Sequence, residues 1–565
     1  MRFLFIFLIF YTPIFSQTNY PKDYFRSPLD IPMQLSGNFG ELRPNHFHAG
    51  LDFKTQQREG LSIYAVADGY ISRIKISTYG YGKAIYITHP NGYTTVYGHL
   101  RKGYGKVEEY IRAAHYKQQA YEIEMFPEPG DLPVNKGDII ALSGNTGGSE
   151  GPHLHFEFRD SETEKVINPL HFGFDKFMKD TKKPFVSSLL VYPIDIDSQA
   201  NQSAKPIVVG LSLQPDGSYI SEKVAASGRI GFGITSADLD DVSYNNNGIF
   251  KVQAFMNGSP FFGYQFDSFA FDEGRYINAL IDYTRYKKTR LRVQKLFMKN
   301  PFALSLIQTN PTNGIIELLP NFSQLYRIEI SDFFQNKTTI LIPIDYAQST
   351  NVIPEQPLSS QYLVRADKDS NFEKDNMSVF FPAHTFYEDF NLNFDVNNKI
   401  MTVHDDSVPV HSNFTVTIKD SLVTNVEKTF IASLSGKRIY YNNTKYKTNT
   451  FTTYTKNLGQ FTLVKDTIAP KITIAKPIEG KWLTKERAIA LRISDDISGI
   501  KSYNGYLNGK WVLFEYDHKA KKIIHYFDDS LLLEGKNDLK VTVSDNLGNS
   551  AIFETSFSRS QQKTK

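Results

Sequence analysis

The sequence predicts a mainly β protein, in which an N-terminal antiparallel β domain is followed by immunoglobulin-like β-sandwich modules. Aromatic residues make up 14% of the chain, most of them Phe and Tyr, and these residue types favour strands over helices. Short apolar runs separated by glycine turns recur through the first third, and strand-like runs continue towards the C-terminal end. The length of 565 residues exceeds what one hydrophobic core supports, so we expect several domains.

The composition excludes some classes of protein. Hydrophobic residues make up 41% and charged residues 22% of the chain, which is ordinary for a globular protein and unlike a disordered one. The formal net charge is only +3, and no dense run of Lys and Arg occurs, so a nucleic-acid partner is not indicated. Cysteine is absent, which excludes disulfide bonds and lipid attachment through an N-terminal cysteine.

Residues 1–16 predict a secretory signal peptide. Arg2 supplies a positive start, Phe3 to Phe10 is apolar, and Ser16 is a small residue at a suitable cleavage point before Gln17. The alternative is a short membrane anchor, but the apolar stretch is short for a membrane span. No later segment is apolar enough to cross a bilayer. We therefore expect an exported protein without a transmembrane segment, in the periplasm or outside the cell.

Residues 18–175 should form the N-terminal β domain, and eight of the 13 histidines lie there. Pro90-Asn91-Gly92 separates two strand-like runs and is a strong hairpin signal. Apolar residues at helical spacing over 107–124 predict an amphipathic helical insert. His115 within it is expected to be a packing or surface residue rather than a metal ligand.

An internal repeat indicates two copies of one β-sandwich module, at 183–347 and 466–560. The copies share an asparagine turn and a final Ser-Asp strand end, and the longer spacing in the first copy indicates an insertion. Residues 360–465 should form a further β-rich domain, and 561–565 a polar tail. Three aspartates of the last copy have two readings, calcium ligands or the commoner turn chemistry in which Asp bonds its own backbone: Asp495, Asp496 and Asp545.

Five residues of the N-terminal domain carry candidate chemistry: His48, Asp52, His99, His153 and His155. His48 and Asp52 flank a glycine that lets the chain bend, and His153 and His155 lie on one face of a strand, with Cα atoms about 7 Å apart. Two imidazoles and one carboxylate are the ligands of a catalytic zinc, whose fourth position is left for water. The other two histidines are then available for proton transfer.

The same residues lie in motifs that resemble a known family, the lysostaphin/LytM-type zinc metallopeptidases, which cleave peptide bonds in bacterial peptidoglycan. The resemblance covers residues 36–172. The matching stretches are Arg43-Pro-Asn-His-Phe-His48-Ala-Gly-Leu-Asp52-Phe, Ala65-Val-Ala-Asp-Gly69, Gly80-Tyr-Gly82, Tyr97-Gly-His99-Leu, Val134-Asn-Lys-Gly-Asp138, Ser143-Gly-Asn-Thr-Gly147, Gly151-Pro-His153-Leu-His155-Phe-Glu157 and Asn168-Pro-Leu170.

The resemblance implies one zinc ion per chain, bound by His48, Asp52 and His155, with His99 and His153 as the catalytic pair. It also implies a compact antiparallel β domain of the LytM, duplicated-hybrid-motif type, with the metal in an open groove. The helical insert departs from the shorter connection usual in the family, and it would narrow or cap the cleft.

Further expectations concern the surroundings of this site. Glu157 either orients a ligand histidine or is a structural strand residue. The loops Gly80–Gly82 and Gly144–Gly147 are expected to wall the groove, and Asn38 is expected in a groove-lining turn. His46 has no ligand role in the family pattern.

The favoured function is that of a secreted zinc metalloendopeptidase that hydrolyses peptide bonds in peptidoglycan stem or cross-link peptides. One alternative is a catalytically inactive LytM-type domain that binds the wall and activates other wall hydrolases. Another is a structural adhesin with a vestigial head. The β modules would act as spacers, bind the wall or envelope partners, or inhibit the enzyme by folding over the groove.

Overall fold

The computed structural model describes residues 19–242, 244–350, 352–354, 360–527 and 531–560, so the expected signal peptide (1–16) and tail (561–565) lie outside the described residues. The protein is mainly β, as predicted. The helices are Lys106–Gln118, Ile277–Leu280 and Tyr283–Thr289, with 3-10 turns at Pro169–Phe172, Phe174–Phe177, Phe271–Tyr276 and Val426–Lys428. Within the described part of the chain, every helix is too short or too polar to cross a bilayer.

The N-terminal domain is built on one large, mostly antiparallel sheet and a smaller three-stranded one. The large sheet has the strand order Leu35–Gly37, Leu51–Lys54, His153–Asp160, Tyr93–Gly98, Lys83–Thr88, Gly69–Ile76 and Ile123–Met125, with Pro133–Val134 and Val166–Ile167 at its margins. The small sheet contains Ser62–Tyr64, Ile139–Leu142 and Lys102–Gly103, and a separate hairpin contains Leu42–Arg43 and His46–Phe47. Phe53, Phe156 and Phe158 are fully buried in the core between these layers.

The helical insert is shorter than the sequence pattern predicted. The helix runs from Lys106 to Gln118 and ends at Gln119, whose left-handed φ of 49° stops it. The apolar spacing continues beyond that point because Tyr121 and Ile123 are buried as core residues of the following segment. That segment leads into the strand Ile123–Met125, so the expectation of helix up to residue 124 was wrong at its C-terminal end.

The region after the N-terminal domain folds as two packed sheets, which we call the proximal sandwich (described residues of 183–347). Its first sheet contains Phe185–Pro193, Ile207–Val209, Arg229–Ala237, Gln294–Lys295 and Ile316–Glu317. Its second sheet contains Gln199–Ala200, Leu211–Leu213, Tyr219–Ser221, Val224–Ser227, Lys251–Met256, Ser259–Gln265, Ile307–Thr309, Ser323–Ser331 and Lys337–Tyr346. Between the strands Ser259–Gln265 and Gln294–Lys295 the chain leaves this sandwich in a segment that we call the excursion (266–293). It contains the short strand Ser268–Phe269 and the short helices between 271 and 289.

Two further sandwiches follow, the middle sandwich (360–465) and the distal sandwich (described residues of 466–560). The middle sandwich contains Leu363–Val364, Ser370–Lys374, Met377–Phe381, Phe390–Asn391, Phe394–Asn397, Ile400–Val403, Phe414–Lys419, Thr429–Ser435, Arg438–Tyr441, Thr444–Lys447, Thr450–Thr455 and Gly459–Lys465. The distal sandwich contains Lys471–Ile474, Ala488–Ser494, Ile500–Leu507, Lys510–Val512, Glu515–Asp517, Lys522–Tyr526, Gly535–Asp545 and Ser550–Arg559.

The proximal and distal sandwiches repeat one local geometry. Asn257 and Asn508 each begin a hairpin turn with a positive φ, of 48° and 51°. The Asn257 side chain accepts a hydrogen bond from the amide of Leu325 at 2.9 Å, and the Asn508 side chain accepts one from the amide of Asp538 at 2.9 Å. Equivalent asparagines therefore tie equivalent hairpins to the neighbouring strand.

The proximal and distal sandwiches both contact the N-terminal domain. Strand Val166–Ile167 pairs with Ser268–Phe269, so the proximal sandwich extends the large sheet. The buried Lys83 ammonium lies 2.9 Å from Glu515 of the distal sandwich. Lys519 donates to the backbone carbonyl of Asn145 at 2.6 Å. The chain therefore folds back, and its last sandwich packs beside the first domain.

Candidate metal centre

Strand register places two of the candidate ligands side by side. In the antiparallel pair of Leu51–Lys54 and His153–Asp160, Asp52 lies directly opposite His155. The turn carrying His48 passes close against the same strand, because a Cβ atom on Gly50 would lie 2.2 Å from the Phe156 carbonyl oxygen. Only glycine allows that approach, and it brings His48 over the two paired residues.

The three expected ligands form a compact buried triangle. His48 Nε2 lies 3.1 Å from Asp52 Oδ1 and 3.1 Å from His155 Nδ1, and His155 Nδ1 lies 2.8 Å from Asp52 Oδ1. The three residues are only 2 to 3% exposed. Each residue thus offers one ligand atom to a common point, and two imidazoles with one carboxylate form a zinc-type donor set.

In each of the two imidazoles, the outer nitrogen is the one on the side away from the triangle, and the inner nitrogen faces the other two residues. The hydrogen bond of the outer nitrogen determines which nitrogen carries the proton. His48 Nδ1 lies 2.8 Å from the Asn38 carbonyl oxygen, and His155 Nε2 lies 2.7 Å from Glu157 Oε1. Both partners only accept, so these nitrogens donate, and in the neutral rings the inner nitrogens are left with lone pairs. Three buried electron-pair donors then face one another, an arrangement that a cation stabilises. The residues therefore fit zinc.

His99 and His153 lie beside this triangle with their rings in contact, the centroids 4.7 Å apart. His99 Nδ1 donates to the Thr146 carbonyl oxygen and His153 Nδ1 to that of Gly151, each at 2.8 Å. The inner Nε2 of His153 is buried without a hydrogen-bond partner and lies 3.5 Å from Asp52 Oδ1. Each of these two rings thus has its Nδ1 bonded to a backbone carbonyl, as the ring of His48 does.

His99 lies just beyond a strand, because the strand Tyr93–Gly98 ends one residue before it. His99 itself adopts a left-handed φ of 58°, so it does not share a strand face with Tyr97. Tyr97 is fully buried, and its hydroxyl accepts from the Val66 amide at 3.1 Å. The turn directs the His99 ring towards His153, which strand alternation would not do.

Burial and neighbouring side chains shift the pKa values of His99 and Asp52, and so determine which group of the site is charged and which is neutral. Burial, together with His155 and His153 nearby, lowers the pKa of His99 to about 3, so its ring is neutral at physiological pH. Burial alone would raise the pKa of Asp52, but its contacts with His48 and the other imidazoles hold that pKa well below its usual range. The site therefore combines a carboxylate with a neutral base.

Sequence reasoning did not assign a role to Arg43. Its guanidinium donates to Asp52 Oδ2 at 2.6 Å, which leaves Asp52 Oδ1 facing the histidines. The hairpin of Leu42–Arg43 and His46–Phe47 carries Arg43 back over the site. The spacing of Arg43 before His48 was visible in the sequence, but nothing in it indicated that the hairpin would return the side chain to Asp52.

Glu157 is both a buried strand residue and a partner of the site. It is fully buried and accepts hydrogen bonds from His155, from Arg159 Nε at 2.8 Å and from the Tyr81 hydroxyl. Although burial alone would raise it, Arg159 and His155 lower the pKa of Glu157 to about 2. A permanent carboxylate therefore fixes the orientation of the His155 ring.

We expect Glu157→Gln to weaken zinc binding by about 10–100-fold, because the amide no longer orients His155 as a charged acceptor. Glu164→Gln is the matched control, since Glu164 also pairs with Arg159, at 3.0 Å, but the carboxylate that holds the His155 ring is that of Glu157. Competition titration against a chromophoric zinc chelator measures both variants. Equal zinc affinities for the two would contradict the orienting role.

The metal centre lies at the floor of a groove of about 1160 Å³. One wall contains Gly80 and Tyr81, as expected, and another is formed by residues 148–152, just beyond the predicted loop 144–147. A third wall was not anticipated, because Phe269, Phe271 and Gly274 belong to the excursion of the proximal sandwich.

The remaining candidates lie outside the ligand triangle. His46 lines the groove but is exposed, and its Nδ1 bonds the Pro44 carbonyl at 2.9 Å. His115 is buried in the helix, where its Nδ1 donates to the Ala120 carbonyl at 2.8 Å. Asn38 was expected to line the groove, but it lines a separate cavity instead. Its backbone oxygen bonds His48, and its side chain bonds Gly248 of the proximal sandwich.

Comparison with known proteins gives two family matches. Residues 46–116 match Peptidase family M23, and residues 361–466 match the Zu5-like domain. The first match contains three of the five candidate residues, His48, Asp52 and His99. The second covers the middle sandwich.

Relatives of known name each match about a quarter of this chain. The chain is 33% identical over 158 residues to an uncharacterized metalloprotease of Haemophilus influenzae, covering 26% of this chain and 27% of that protein. It is 29% identical over 156 residues to the peptidoglycan DD-endopeptidase ShyC of Vibrio cholerae, covering 26% and 28%. The chain thus spans about a quarter of the length of these relatives.

Among solved structures, the catalytic domain of lysostaphin from Staphylococcus simulans aligns with 25% of this chain and 91% of its own, at 24% identity and a TM-score of 0.19. Lysostaphin of Staphylococcus staphylolyticus is 30% identical over 140 residues, covering 25% of this chain and 22% of that protein. The family match over residues 46–116 and the lysostaphin sequence thus make part of this chain similar to peptidases of family M23.

Proposed function

We propose that the protein is a secreted zinc metalloendopeptidase that hydrolyses peptide bonds in peptidoglycan stem or cross-link peptides. One observation carries the proposal: nitrogens of His48, His155 and His153 lie 3.1, 2.8 and 3.5 Å from Asp52 Oδ1, and the ring of His99 contacts that of His153. Such a set supplies metal ligands and bases at one point. The proposed ligands are His48, Asp52 and His155.

When bound there, zinc supplies Lewis-acid chemistry, polarising a carbonyl group and lowering the pKa of water towards about 7. His99 and His153 supply the proton transfers. Each has its Nδ1 proton engaged by a backbone carbonyl, so its Nε2 accepts a proton and can later return it to the leaving amine. The low pKa of His99 keeps that ring unprotonated and ready to act as a base.

The groove supports a polymeric peptide substrate. Its volume, about 1160 Å³, exceeds the 300–1000 Å³ of most small-molecule pockets. One relative is named the peptidoglycan DD-endopeptidase ShyC, and another the DD-carboxypeptidase/endopeptidase Mpg of Neisseria meningitidis. Within this proposal the D-Ala–diaminopimelate cross-link is the preferred scissile bond, and a glycine bridge is the alternative.

The test is product analysis with the full-length, zinc-loaded protein. Purified cross-linked muropeptide dimers should be converted to monomers, identified by mass spectrometry, and a chelator should stop the reaction until zinc is restored. Glycine-bridged muropeptides serve as the comparison substrate. Intact dimers after prolonged incubation, with retained binding to cell-wall sacculi, would replace the proposal by the non-enzymatic activator role.

Zinc affinity should depend on pH through His155. Burial lowers the pKa of His155, but hydrogen bonds to Asp52 and Glu157 outweigh it and raise the pKa to about 9 in the metal-free site. Binding requires an unprotonated Nδ1, so below that pH zinc must displace one proton. We expect apparent zinc affinity to rise about tenfold per pH unit between about pH 6 and 9 and to level off above. Calorimetry in two buffers of different ionisation enthalpy measures the released proton, and affinity independent of pH would contradict this.

A further inference from the structure

Two clusters of three aspartates lie at equivalent places in the proximal and distal sandwiches. In each cluster the three carboxylates offer oxygen atoms that all lie within 4.8 Å of one another. The clusters are Asp180, Asp238 and Asp332 in the proximal sandwich, and Asp466, Asp495 and Asp545 in the distal one. The first member of each begins a matching entry segment, Asp180-Thr-Lys-Lys-Pro184 and Asp466-Thr-Ile-Ala-Pro470. The clusters are therefore part of the internal repeat.

The surrounding hydrogen bonds repeat as well. Asn336 donates through Nδ2 to Asp332 Oδ2 at 2.6 Å and to the Asp180 carbonyl at 3.2 Å. Asn549 donates through Nδ2 to Asp545 Oδ2 at 2.7 Å and to the Asp466 carbonyl at 3.1 Å. An asparagine thus holds the first and last aspartate of each cluster together.

Buried oxygens without hydrogen-bond partners accompany both clusters. In the proximal sandwich, Asp238 Oδ1 and Asn247 Oδ1 have no partner, and the two residues are only 4% and 5% exposed. Asn247 lines the same cavity of about 50 Å³ as the three aspartates. In the distal sandwich, Ser498 Oγ is without a partner, 2% exposed, and its amide donates to Asp466 Oδ2 at 3.2 Å. Burying such oxygens is costly unless something binds them.

The negative charge of the clusters is not neutralised by protein cations. Among the described residues, no Lys, Arg or His forms an ion pair with any of the six carboxylates; the nearby Lys179 pairs with Asp241 and Lys471 with Asp496. Four of the six carboxylates are buried and two are half-buried, and a bound cation would stabilise their charged form.

We propose that each cluster binds a divalent cation of the calcium type, one in the proximal and one in the distal sandwich. The donors are carboxylate, amide and hydroxyl oxygens, which hard cations prefer, and nitrogen or sulfur donors are absent from both clusters. Calcium accepts many oxygen ligands in flexible geometry, whereas magnesium requires a near-ideal octahedron. Each ion stabilises the entry of a sandwich, where the chain arrives from the preceding domain.

The proximal ion would also stabilise the peptidase site. Asn247 is followed by Gly248, whose amide and carbonyl bond the Asn38 side chain at 2.8 and 2.6 Å. The Asn38 carbonyl in turn accepts the proton of His48 Nδ1 at 2.8 Å. An ion at Asn247 therefore lies three residues from the ring of a proposed zinc ligand, and zinc affinity should fall when calcium is removed.

Calcium titration of the full-length, zinc-loaded protein tests the proposal. After removal of calcium on a chelating resin, with zinc restored, isothermal calorimetry with CaCl2 should find two sites per chain, and magnesium should bind at least about tenfold more weakly. Asp332→Asn should remove one site and Asp545→Asn the other. Asp216→Asn, an exposed turn residue of the proximal sandwich, is the matched control and should retain both.

The wild-type protein decides the question even if an aspartate variant fails to fold. Calcium should raise its thermal unfolding midpoint, and Asn247→Ala, which removes a neutral oxygen, should weaken one site by at least about tenfold with the circular dichroism spectrum retained. No binding heat and no shift of the midpoint up to about 10 mM calcium would overturn the proposal. Two sites that persist in both aspartate variants would also overturn it.

Discussion

Replacing His48 by alanine should abolish zinc binding and lower peptide hydrolysis by about a thousandfold or more, since the metal contributes several kcal/mol of transition-state stabilisation. His48 Nε2 is one of three ligand atoms, and it lies 3.1 Å from each of the other two. A carboxylate and one imidazole remain in the variant, which is too few ligands to retain a catalytic zinc ion against competition.

His46→Ala is the matched control, because His46 is two residues away and lines the same groove but is exposed and bonds only the Pro44 carbonyl. Elemental analysis of the purified variants should find about one zinc per chain in His46→Ala and essentially none in His48→Ala. Equal zinc content in the two variants would remove His48 from the ligand set.

His99→Ala should lower kcat by about 10²–10⁴-fold while zinc content stays unchanged, as expected for loss of a general base or acid. The His99 ring contacts His153, but it is not one of the three residues whose ligand atoms converge. Its Nδ1 bond to the Thr146 carbonyl fixes the position of the ring, which lines the groove. A kcat loss with zinc retained separates a proton-transfer residue from a ligand.

The control for misfolding is His115→Ala. His115 is also a buried histidine that donates to a backbone carbonyl at 2.8 Å, but it lies in the helix, away from the groove. If His115→Ala loses as much activity as His99→Ala at equal zinc content, the effect is one of stability and His99 has no catalytic role. Thermal unfolding of both variants completes the comparison.

The mainly β fold was predictable because its signals are local. Alternating apolar residues and glycine turns mark strands such as Gly69–Ile76 and Lys83–Thr88, and the helix at Lys106–Gln118 has a clear apolar face. The end of that helix was not predictable from spacing. Tyr121 and Ile123 continue the apolar pattern, but they are buried by tertiary packing, and the left-handed Gln119 ends the helix.

The candidate site was predictable as a set of residues but not as a geometry. Histidine and aspartate spacing identified the groups that the structure brings together around Asp52. The turn at His99, the return of Arg43 to Asp52 and the third groove wall all depend on long-range packing. A sequence pattern records neighbours along the chain, whereas these contacts join elements distant in sequence, so no local signal could reveal them.

The pairing of Val166–Ile167 with Ser268–Phe269 sets a minimum size for an active fragment. A truncated protein ending near residue 175 would leave an unpaired sheet edge, and it would expose Phe39 and Phe47, whose rings pack on Phe269. Exposed edges and aromatic surface promote aggregation. Recombination or engineering that transplants this domain must therefore move the excursion of the proximal sandwich together with the segments that carry His48, Asp52 and His155.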